Sequence, residues 1–483
     1  MRLTRRGIHP LVPCERGFPA IQIESIRKSF SRLKRIKIGL STLILVSYLA
    51  AIGIGAALLL LPFSTVSGDI SLVDALFTAT SAVCVTGLTV VDTGSHFTTS
   101  GQLVILLLIQ AGGLGIMTFS VLFFLLVGKR VSFRHRMVMQ EVFAHTPRED
   151  IYRVVGSIFL FTGVVEGAGA LILFFFWMSE HSVMHSAHLA IFHSISAFCN
   201  AGFALFSSSF VDYRASPVLN LTICLLIVLG GIGFPVVYEL YERTRSRKPL
   251  PPRLTVHTRI VLITTALLIA SGMGLIIWGE HGNIFKGAPL NEVLWISLFQ
   301  SITARTAGFN TVDIGQLSNS TLMALMFLMF WGASPGSCGG GVKTTTLAVL
   351  GLFTWARLHR ISQVNVFKKS IPQETVSRSV SLLILSIILI LAIFFMLLLT
   401  HDLETSGPES RSAFVDYLFE VISAFGTVGL SMGATAKLNG FGKILIIAMM
   451  LIGRVGVLTF AYIVAGTEAR GGVQYSRQNL MIG

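Results

Sequence analysis

The chain has 483 residues, of which 53% are hydrophobic and only 12% charged, and its mean hydropathy is +0.76. This composition excludes a soluble domain and predicts a polytopic membrane protein. The five cysteines show no CxxC or other paired spacing, which argues against a disulfide framework or a zinc site. A net charge of +14 would indicate nucleic-acid binding in a soluble protein, so the distribution of the charge decides its meaning.

The charged residues are distributed unevenly over the connections between the apolar segments. If alternate connections lie on one side, 29 of the 37 Lys and Arg residues share that side with both termini. By the positive-inside rule that side is the cytoplasm. Acidic residues are concentrated on the opposite side, in a predicted outer vestibule that includes Asp74 and Glu420 and would attract cations. The charge thus indicates membrane topology, and we predict no nucleic-acid partner.

Taken in order, the chain is predicted to form four modules, each with a first span, a short pore helix, an extended loop and a second span, since about 20 apolar residues cross the hydrocarbon core. The segments are a basic cytosolic arm (1–37), module one (38–127), a cytosolic loop (128–153), module two (154–241), a linker (242–258), module three (259–360), a cytosolic loop (361–378), module four (379–466) and a cytosolic tail (467–483). The predicted fold is an all-α polytopic membrane protein with four membrane helix–pore loop–membrane helix repeats around one pore.

A short glycine-centred motif recurs once in each module, between the pore helix and the second span. The central glycines lie 115, 106 and 121 residues apart, so the repeating unit is a whole module. We call the four copies the glycine segments. They are Val85-Thr86-Gly87-Leu88-Thr89, Asn200-Ala201-Gly202-Phe203-Ala204, Thr306-Ala307-Gly308-Phe309-Asn310 and Thr427-Val428-Gly429-Leu430-Ser431.

Extended backbone at membrane depth leaves its carbonyls without partners and is tolerated where it lines a water-filled path. Four such strands around one axis would present rings of carbonyl oxygens that replace the hydration shell of a cation. Glycine suits the centre because it adopts backbone angles closed to other residues. We therefore predict that the first three residues of each segment form a selectivity filter, with potassium at the carbonyls of Thr86, Ala201, Ala307 and Val428. The alternative for any one copy is an ordinary turn with a left-handed glycine.

The second spans of modules two and four, at about 218–241 and 444–465, are expected to be continuous, whereas that of module three is interrupted. Its sequence over Gly332–Thr346 is GASPGSCGGGVKTTT. Proline removes a helix hydrogen bond and glycines weaken the others, so this span must open. We predict a mobile gate below the filter that contains Gly336, Gly339, Gly340, Gly341 and Lys343. The alternative is a static kink between modules.

The same loop nearly has the glycine and lysine spacing of a nucleotide-binding P-loop. However, Val342 intervenes before Lys343, and the loop follows a membrane helix where a P-loop follows a strand. Nucleotide binding by this chain is therefore not expected.

Arg454 lies within the apolar last span, where a charged side chain is expensive and usually faces a cavity or a partner. If Arg454 points into the pore, it would raise the barrier to a cation and hydrogen-bond carbonyls of the interrupted span. The alternative is a pairing with a buried acid such as Glu166. His185, His188 and His193 lack metal-ligand spacing and are expected to pack. No nucleophile–base arrangement predicts an enzyme.

These features resemble the Trk/Ktr/HKT superfamily of potassium transporters, and most of all its KtrB group. The residues that carry the resemblance are the four single-glycine segments, the sequence ITARTAGFN, the GASPGSCGGGVKTTT loop and the arginine in the last span. The resemblance covers nearly all of the chain after residue 37. It implies that Gly87, Gly202, Gly308 and Gly429 are the selectivity glycines. Since sodium-selective relatives carry Ser at the first of these positions, Gly87 implies selectivity for potassium.

The resemblance also implies a function and partners. Members take up potassium across the cell inner (cytoplasmic) membrane, often in a sodium-dependent way, as homodimers with one pore in each protomer. They sit on cytosolic RCK-type regulatory subunits resembling KtrA, so ATP or ADP is expected on the partner and no covalently bound cofactor on this chain. The alternatives are sodium-selective or non-selective cation transport, and a non-conducting membrane receptor or scaffold.

Overall fold

The computed structural model describes residues 40–115, 151–245, 253–404 and 413–465. These residues are mostly helical, apart from a short antiparallel ribbon of β1 (Asn365–Val366) and β2 (Lys369–Ser370). The predicted arm (1–37), nearly all of the first cytosolic loop (128–153) and the tail (467–483) lie outside the described residues, and the linker (242–258) is described only in part.

The helices follow the predicted order of first span, pore helix and second span. Modules one and two contain α1 (Leu40–Leu59), α2 (Leu72–Cys84), α3 (Thr99–Gly113), α4 (Ile151–Trp177), α5 (Val183–Phe198), α6 (Pro217–Ile232) and α7 (Phe234–Arg245). Modules three and four contain α8 (Val256–Glu280), α9 (Leu290–Thr303), α10 (Asn319–Phe330), α11 (Thr344–Leu358), α12 (Gln373–Glu404), α13 (Ala413–Gly426), α14 (Gly440–Val455) and α15 (Val457–Ala465).

The first helices, α1, α4, α8 and α12, are each long and apolar enough to cross a membrane. Between 22% and 33% of the residues in their apolar windows are buried inside the protein. Since most of their apolar side chains face outward, these helices form the lipid-facing layer. The chain therefore has several membrane spans, as its composition predicts.

The second helices of modules two, three and four are shorter and broken. In module two, α6 and α7 meet at an angle of 98° at Gly233, and in module four Gly456 separates α14 from α15. The prediction of continuous spans at 218–241 and 444–465 was therefore wrong. Gly233 and Gly456 have φ values of 98° and 97°, a region that side chains rarely adopt. The predicted interruption of module three is confirmed, since α10 ends at Phe330 and α11 begins at Thr344.

The four pore helices, α2, α5, α9 and α13, lie close to their predicted positions. Each is buried along its C-terminal half. At the exposed start of α2, the hydroxyl of Ser71 accepts a hydrogen bond from the backbone N–H of Asp74 and so caps the helix. At most two residues separate the end of each pore helix from its glycine segment, so the four segments follow the C-terminal ends of four buried helices.

Candidate functional site

The glycine segments share one unusual backbone conformation. In each, φ is positive two residues before the glycine and again at the glycine, but not at the residue between them. The first of these positions holds Val85 (57°), Asn200 (61°), Thr306 (76°) or Thr427 (49°). Positive φ is a genuine outlier for β-branched residues such as Val and Thr, and such strain concentrates at functional sites. Because φ changes sign from one residue to the next, the carbonyls of a segment do not all point along one axis as they do in a helix.

The four glycines form a closed ring, which we call the glycine ring. A Cβ atom placed on any one of them would lie within 2.8 Å of a carbonyl oxygen in the next segment. The pairs are Gly87 with Ala201 (2.4 Å), Gly202 with Ala307 (2.8 Å), Gly308 with Val428 (2.5 Å) and Gly429 with Thr86 (2.1 Å). No other residue could occupy these positions without moving backbone. The carbonyls in these contacts are the four that the sequence predicted to bind the ion.

The large apolar residue after each glycine anchors its segment in the protein core. Leu88, Phe203, Phe309 and Leu430 are each at most 1% exposed. Burial of such a side chain contributes about 1.5–3 kcal/mol. The segments are therefore held from behind while their glycines face one another.

A row of hydroxyl side chains near the ends of the pore helices also supports the segments. The hydroxyls of Ser81 and Ser423 accept hydrogen bonds from the N–H groups of Gly87 and Gly429, each at 3.1 Å. Those of Ser196 and Thr303 instead donate to the carbonyls that follow Gly202 and Gly308, at 2.8 and 2.7 Å. Sequence analysis missed this row. The signal was a serine six residues before the glycine in three modules, hidden because the third module carries its hydroxyl one residue later.

The interrupted second span of module three lies directly against two glycine segments. The backbone N–H of Gly340 donates to the hydroxyl of Thr427 at 2.9 Å. A Cβ atom on Gly339 would lie 2.1 Å from the hydroxyl of Thr306. The glycines of this loop, which we call the gate loop (331–343), thus allow its backbone to approach the segments on the side of the second helices.

The gate loop is hydrogen-bonded to the second helices of modules two and four. Backbone N–H groups of Ser334, Cys338 and Gly341 donate to the carbonyls of Gly231, Gly230 and Gly453, at 3.1, 3.2 and 3.3 Å. In return, the carbonyl of Gly336 accepts a bond of 3.0 Å from the N–H of Phe234, immediately after the bend.

The contact points on the second helices belong to a second repeat that sequence analysis missed. Its three copies are Gly112-Gly113-Leu114-Gly115, Gly230-Gly231-Ile232-Gly233 and Gly453-Arg454-Val455-Gly456. A Cβ atom on the first glycine of each copy would lie about 2 Å from a pore-helix carbonyl, that of Val83 (2.1 Å), Phe198 (1.8 Å) or Phe425 (2.0 Å). In all three modules that carbonyl belongs to the residue four positions before the ring glycine, so the two repeats are in register.

Two cationic side chains hold the gate loop. The guanidinium of Arg454 donates to the carbonyl of Cys338 in the loop and to that of Gly112 at the end of α3. The ammonium of Lys343 donates to the carbonyls of Gly339 and Gly340, at 2.6 and 3.4 Å. Arg454 is thus hydrogen-bonded to the gate loop, which was one of the two arrangements predicted for this side chain.

Glu166, the alternative partner of Arg454, has other contacts. It accepts a hydrogen bond of 3.2 Å from the amide of Gln110, and the thiol of Cys199 lies 3.9 Å from its other oxygen. The described residues contain no group of three or more His, Cys, Asp or Glu side chains placed to hold a metal ion. Among the described residues, the polar atoms nearest to the four ring glycines are backbone carbonyl oxygens.

The same architecture occurs in known proteins. The profile of the family described as "TrkH: Cation transport protein" matches residues 35–467. The chain belongs to the TrkH family. It is a multi-pass membrane transporter of cations, not an enzyme.

Curated relatives cover almost the whole of this TrkH family chain. Ktr system potassium uptake protein B of Vibrio alginolyticus is 39% identical over 90% of this chain and 93% of its own. Potassium/sodium uptake protein NtpJ of Enterococcus hirae is 36% identical over 96% of this chain and 100% of its own. The crystal structure of the potassium transporter TrkH from Vibrio parahaemolyticus superposes with a TM-score of 0.68, covering 89% of this chain and 86% of that one at 20% identity. That similarity shows a shared fold.

The geometry of this TrkH family member favours a cation at the glycine ring. Four carbonyl oxygens from four segments lie beside the ring, and four pore helices end there. The C-terminal end of a helix carries a partial negative charge of about half an elementary charge. Both features attract cations and repel anions, and no cationic side chain lies in the segments themselves.

Proposed function

We propose that this protein takes up potassium through a channel-like pathway at the glycine ring. The observation that carries the proposal is the closed ring, in which each predicted carbonyl lies against the glycine of the neighbouring module. Rings of backbone carbonyls replace the hydration shell of potassium in known filters. The printed functions of the Ktr relatives support potassium as the ion. The module boundaries and the single pore predicted from the sequence are part of this proposal.

The pathway operates in the cytoplasmic membrane with both termini inside, as the excess of basic residues in the predicted inner connections indicates. The membrane potential drives uptake, since moving one charge inward releases about 2.3 kcal/mol per 100 mV. No chemical step is needed.

The gate loop closes this pathway below the filter, and Arg454 and Lys343 hold it closed. Their contacts with loop carbonyls support this role, as does the bond between Gly340 and Thr427. The alternative of a static kink is weakened because the loop meets the hydroxyls of Thr306 and Thr427 through glycines, so that none of its own side chains occupies the contact.

The partner of the proposed transporter is a cytosolic RCK-type subunit resembling KtrA, which binds the nucleotide, and the membrane subunit is a homodimer. The support is similarity to Ktr system proteins over about nine-tenths of the chain. Sodium is the second candidate ion, favoured by the name of the potassium/sodium relative.

Growth of a potassium-uptake-deficient bacterium on limiting potassium tests the function. We expect this gene to restore growth when it is expressed with an RCK subunit from the same genome. Rescue without the subunit would show that the pathway works alone. If neither combination restores growth although the protein is in the membrane, sodium transport or a non-conducting receptor replaces the proposal. Cation flux into proteoliposomes of purified protein then separates those two.

A further inference from the structure

The pore helices carry a second row of buried polar side chains, one helical turn before the hydroxyl row. Its members lie three residues before Ser81, Ser196, Thr303 and Ser423, and therefore on the same helix face. They are Thr78, His193, Gln300 and Glu420, and each is at most 2% exposed. Burial of a polar side chain costs free energy unless the side chain is hydrogen-bonded. The hydrogen-bond partner of each of these side chains therefore indicates its role.

Three of the four side chains contact the residue that directly follows their glycine segment. His193 Nε2 accepts a hydrogen bond of 3.1 Å from the N–H of Leu205. Glu420 Oε1 accepts one of 3.2 Å from the N–H of Met432. The amide of Gln300 donates to the hydroxyl of Thr311 at 3.4 Å. Leu205, Thr311 and Met432 are each the third residue after the ring glycine.

The chemistry of His193 fits the role of an acceptor. Its Nδ1 lies 2.8 Å from the carbonyl of Leu189, which can only accept, so Nδ1 carries the proton and Nε2 offers its lone pair. The ring stacks on Phe206 with a centroid distance of 5.1 Å and packs against Trp177 and Phe210. The aromatic cage therefore fixes both the ring plane and the position of Leu205.

Glu420 makes a denser set of contacts than a vestibule charge would. Its two oxygens accept hydrogen bonds of 2.5 Å from the hydroxyls of Ser431 and Thr435, in addition to the bond from Met432. The side chain is 0% exposed. The expectation that Glu420 lines an outer vestibule was therefore wrong, because the fold turns this carboxylate inward onto the loop that follows the glycine ring.

Module one holds its outer loop differently. The hydroxyl of Thr78 has no hydrogen-bond partner. Instead, the amide of Gln102 on the second helix donates to the carbonyls of Thr93, Gly94 and Phe97, at 3.3, 3.2 and 3.0 Å. Nε2 of His188 in module two lies 2.8 Å from the amide oxygen of Gln102. Thr78 is thus a natural control at the equivalent helix position.

We propose that His193, Gln300 and Glu420 are positioning residues for ion selection, each fixing the residue three positions beyond a ring glycine. The inference rests on the proposed function, because it assigns these residues to the selection of the ion that passes the ring. Each segment of modules two, three and four is then held at two places. The hydroxyl row fixes it at the glycine or at the residue after it, and this second row fixes the chain just outside the segment. Together they set how closely the four carbonyls approach one another.

The test is the ratio of potassium to sodium flux in proteoliposomes that contain the purified chain. We expect His193→Ala and Glu420→Ala each to lower this ratio at least fivefold, about the factor that corresponds to one ordinary hydrogen bond. Gln300→Met, which keeps the shape of the side chain and removes one contact, should lower it by about twofold to threefold, because that hydrogen bond is long. His193→Gln should restore part of the ratio, since Gln serves the equivalent position in module three.

The matched control is Thr78→Val, which changes the same helix position without removing a contact to the outer loop. Its ratio should equal that of the wild type. A merely structural role would lower protein yield and total flux for all variants while leaving the ratio unchanged, and that result would overturn the inference. Equal losses for Thr78→Val and Gln300→Met would overturn it as well. Absence of cation flux through the wild type even when it is reconstituted with the RCK subunit would instead reject the proposed function, and this inference with it.

Discussion

The first and second helices of each module carry similar apolar sequences but differ in structure. The first helices run unbroken for 20 to 32 residues. The described second helices of modules two, three and four break at a glycine or a glycine-rich loop. The glycines of the two sets also differ in what they contact, since a Cβ atom on a first-helix glycine would meet side chains, as at Gly55, Gly169 and Gly272, or open space. A Cβ atom on Gly53, Gly163 or Gly274 of the first helices would meet nothing within 4 Å, whereas one on Gly230 would meet a carbonyl oxygen.

The difference shows that apolar length and structural role are separate properties. Lipid-facing helices need only their backbone hydrogen bonds and an apolar surface. The second helices pack against the ends of the pore helices and surround the gate loop, where their backbone contacts other backbone. A break there is tolerated because loop carbonyls and N–H groups of neighbouring modules supply the missing partners.

The largest effect is expected when one glycine of a second helix and one glycine of a first helix are each replaced by alanine. In Gly230→Ala the new Cβ would lie 1.8 Å from the carbonyl of Phe198, so the end of a pore helix must move. We expect a loss of at least 1–3 kcal/mol, roughly the cost of overpacking a core, or failure to fold. Gly163→Ala should unfold at or above the wild-type temperature. Thermal unfolding in detergent, followed by tryptophan fluorescence, measures both, and equal temperatures would contradict the comparison.

The next largest effect is expected when Arg454, which donates hydrogen bonds to the gate loop, is substituted. Arg454→Ala leaves the carbonyl of Cys338 without its donor, at a cost of about 1–3 kcal/mol, whereas the carbonyl of Gly112 keeps the N–H of Gly115. We expect potassium flux through the chain without its partner to rise by about tenfold or more. Deletion of Gly339–Gly341 should also raise it, and Arg454→Lys should raise it less, because the charge is kept. Wild-type flux in both Arg454→Ala and the deletion would mean that the loop is no gate.

A single hydroxyl gives a smaller, cleaner test of the same loop. Thr427→Val removes the acceptor of the bond from Gly340, with almost no change of shape. The loss of about 1 kcal/mol should raise flux about fivefold. Thr162→Val on a first helix is the control, since that buried hydroxyl has no partner. Parallel flux assays compare the two, and an equal change in both would show that the loop bond has no special role.

The smallest effect is expected for ion pairs at the helix ends. Lys443, at the start of α14, pairs with Asp74 of α2 at 2.6 Å, and their side chains are 16% and 20% exposed. Arg378 and Glu374 on α12 pair at 2.5 Å but are 67% and 73% exposed. Lys443→Met should lower stability by about 1 kcal/mol, and Arg378→Met by an amount too small to measure. Chemical unfolding at low and high salt measures both losses of stability. A larger loss for Arg378→Met than for Lys443→Met would contradict the comparison.

The sequence predicted the pore helices and the glycine segments because both repeat. A motif that recurs at a fixed place in four modules can be aligned within one chain, and its glycines have a single physical explanation. The interruption of module three was predictable for a similar reason, since Pro335 and the glycines around it cannot continue a helix.

The breaks at Gly233 and Gly456 were missed because one glycine within an apolar run barely alters its hydropathy. The bend after Gly233 is also bonded to a distant part of the chain, since the N–H of Phe234 donates to the carbonyl of Gly336. The partner of Arg454 could not be chosen either, because the sequence offered both the carbonyls of Gly332–Thr346 and the carboxylate of Glu166. Glu420 was misplaced because a carboxylate beside an outer loop has the same sequence pattern whether it faces water or turns inward.

The most direct test of the central claim is the potassium to sodium flux ratio of Gly87→Ser in proteoliposomes, measured beside Gly53→Ser. A Cβ atom at position 87 would lie 2.4 Å from the carbonyl of Ala201, whereas one at position 53 meets nothing within 4 Å. If the glycine ring selects the ion, the ratio falls sharply for Gly87→Ser and keeps its wild-type value for Gly53→Ser. A Gly87→Ser protein that folds, conducts and retains the wild-type ratio would contradict the account.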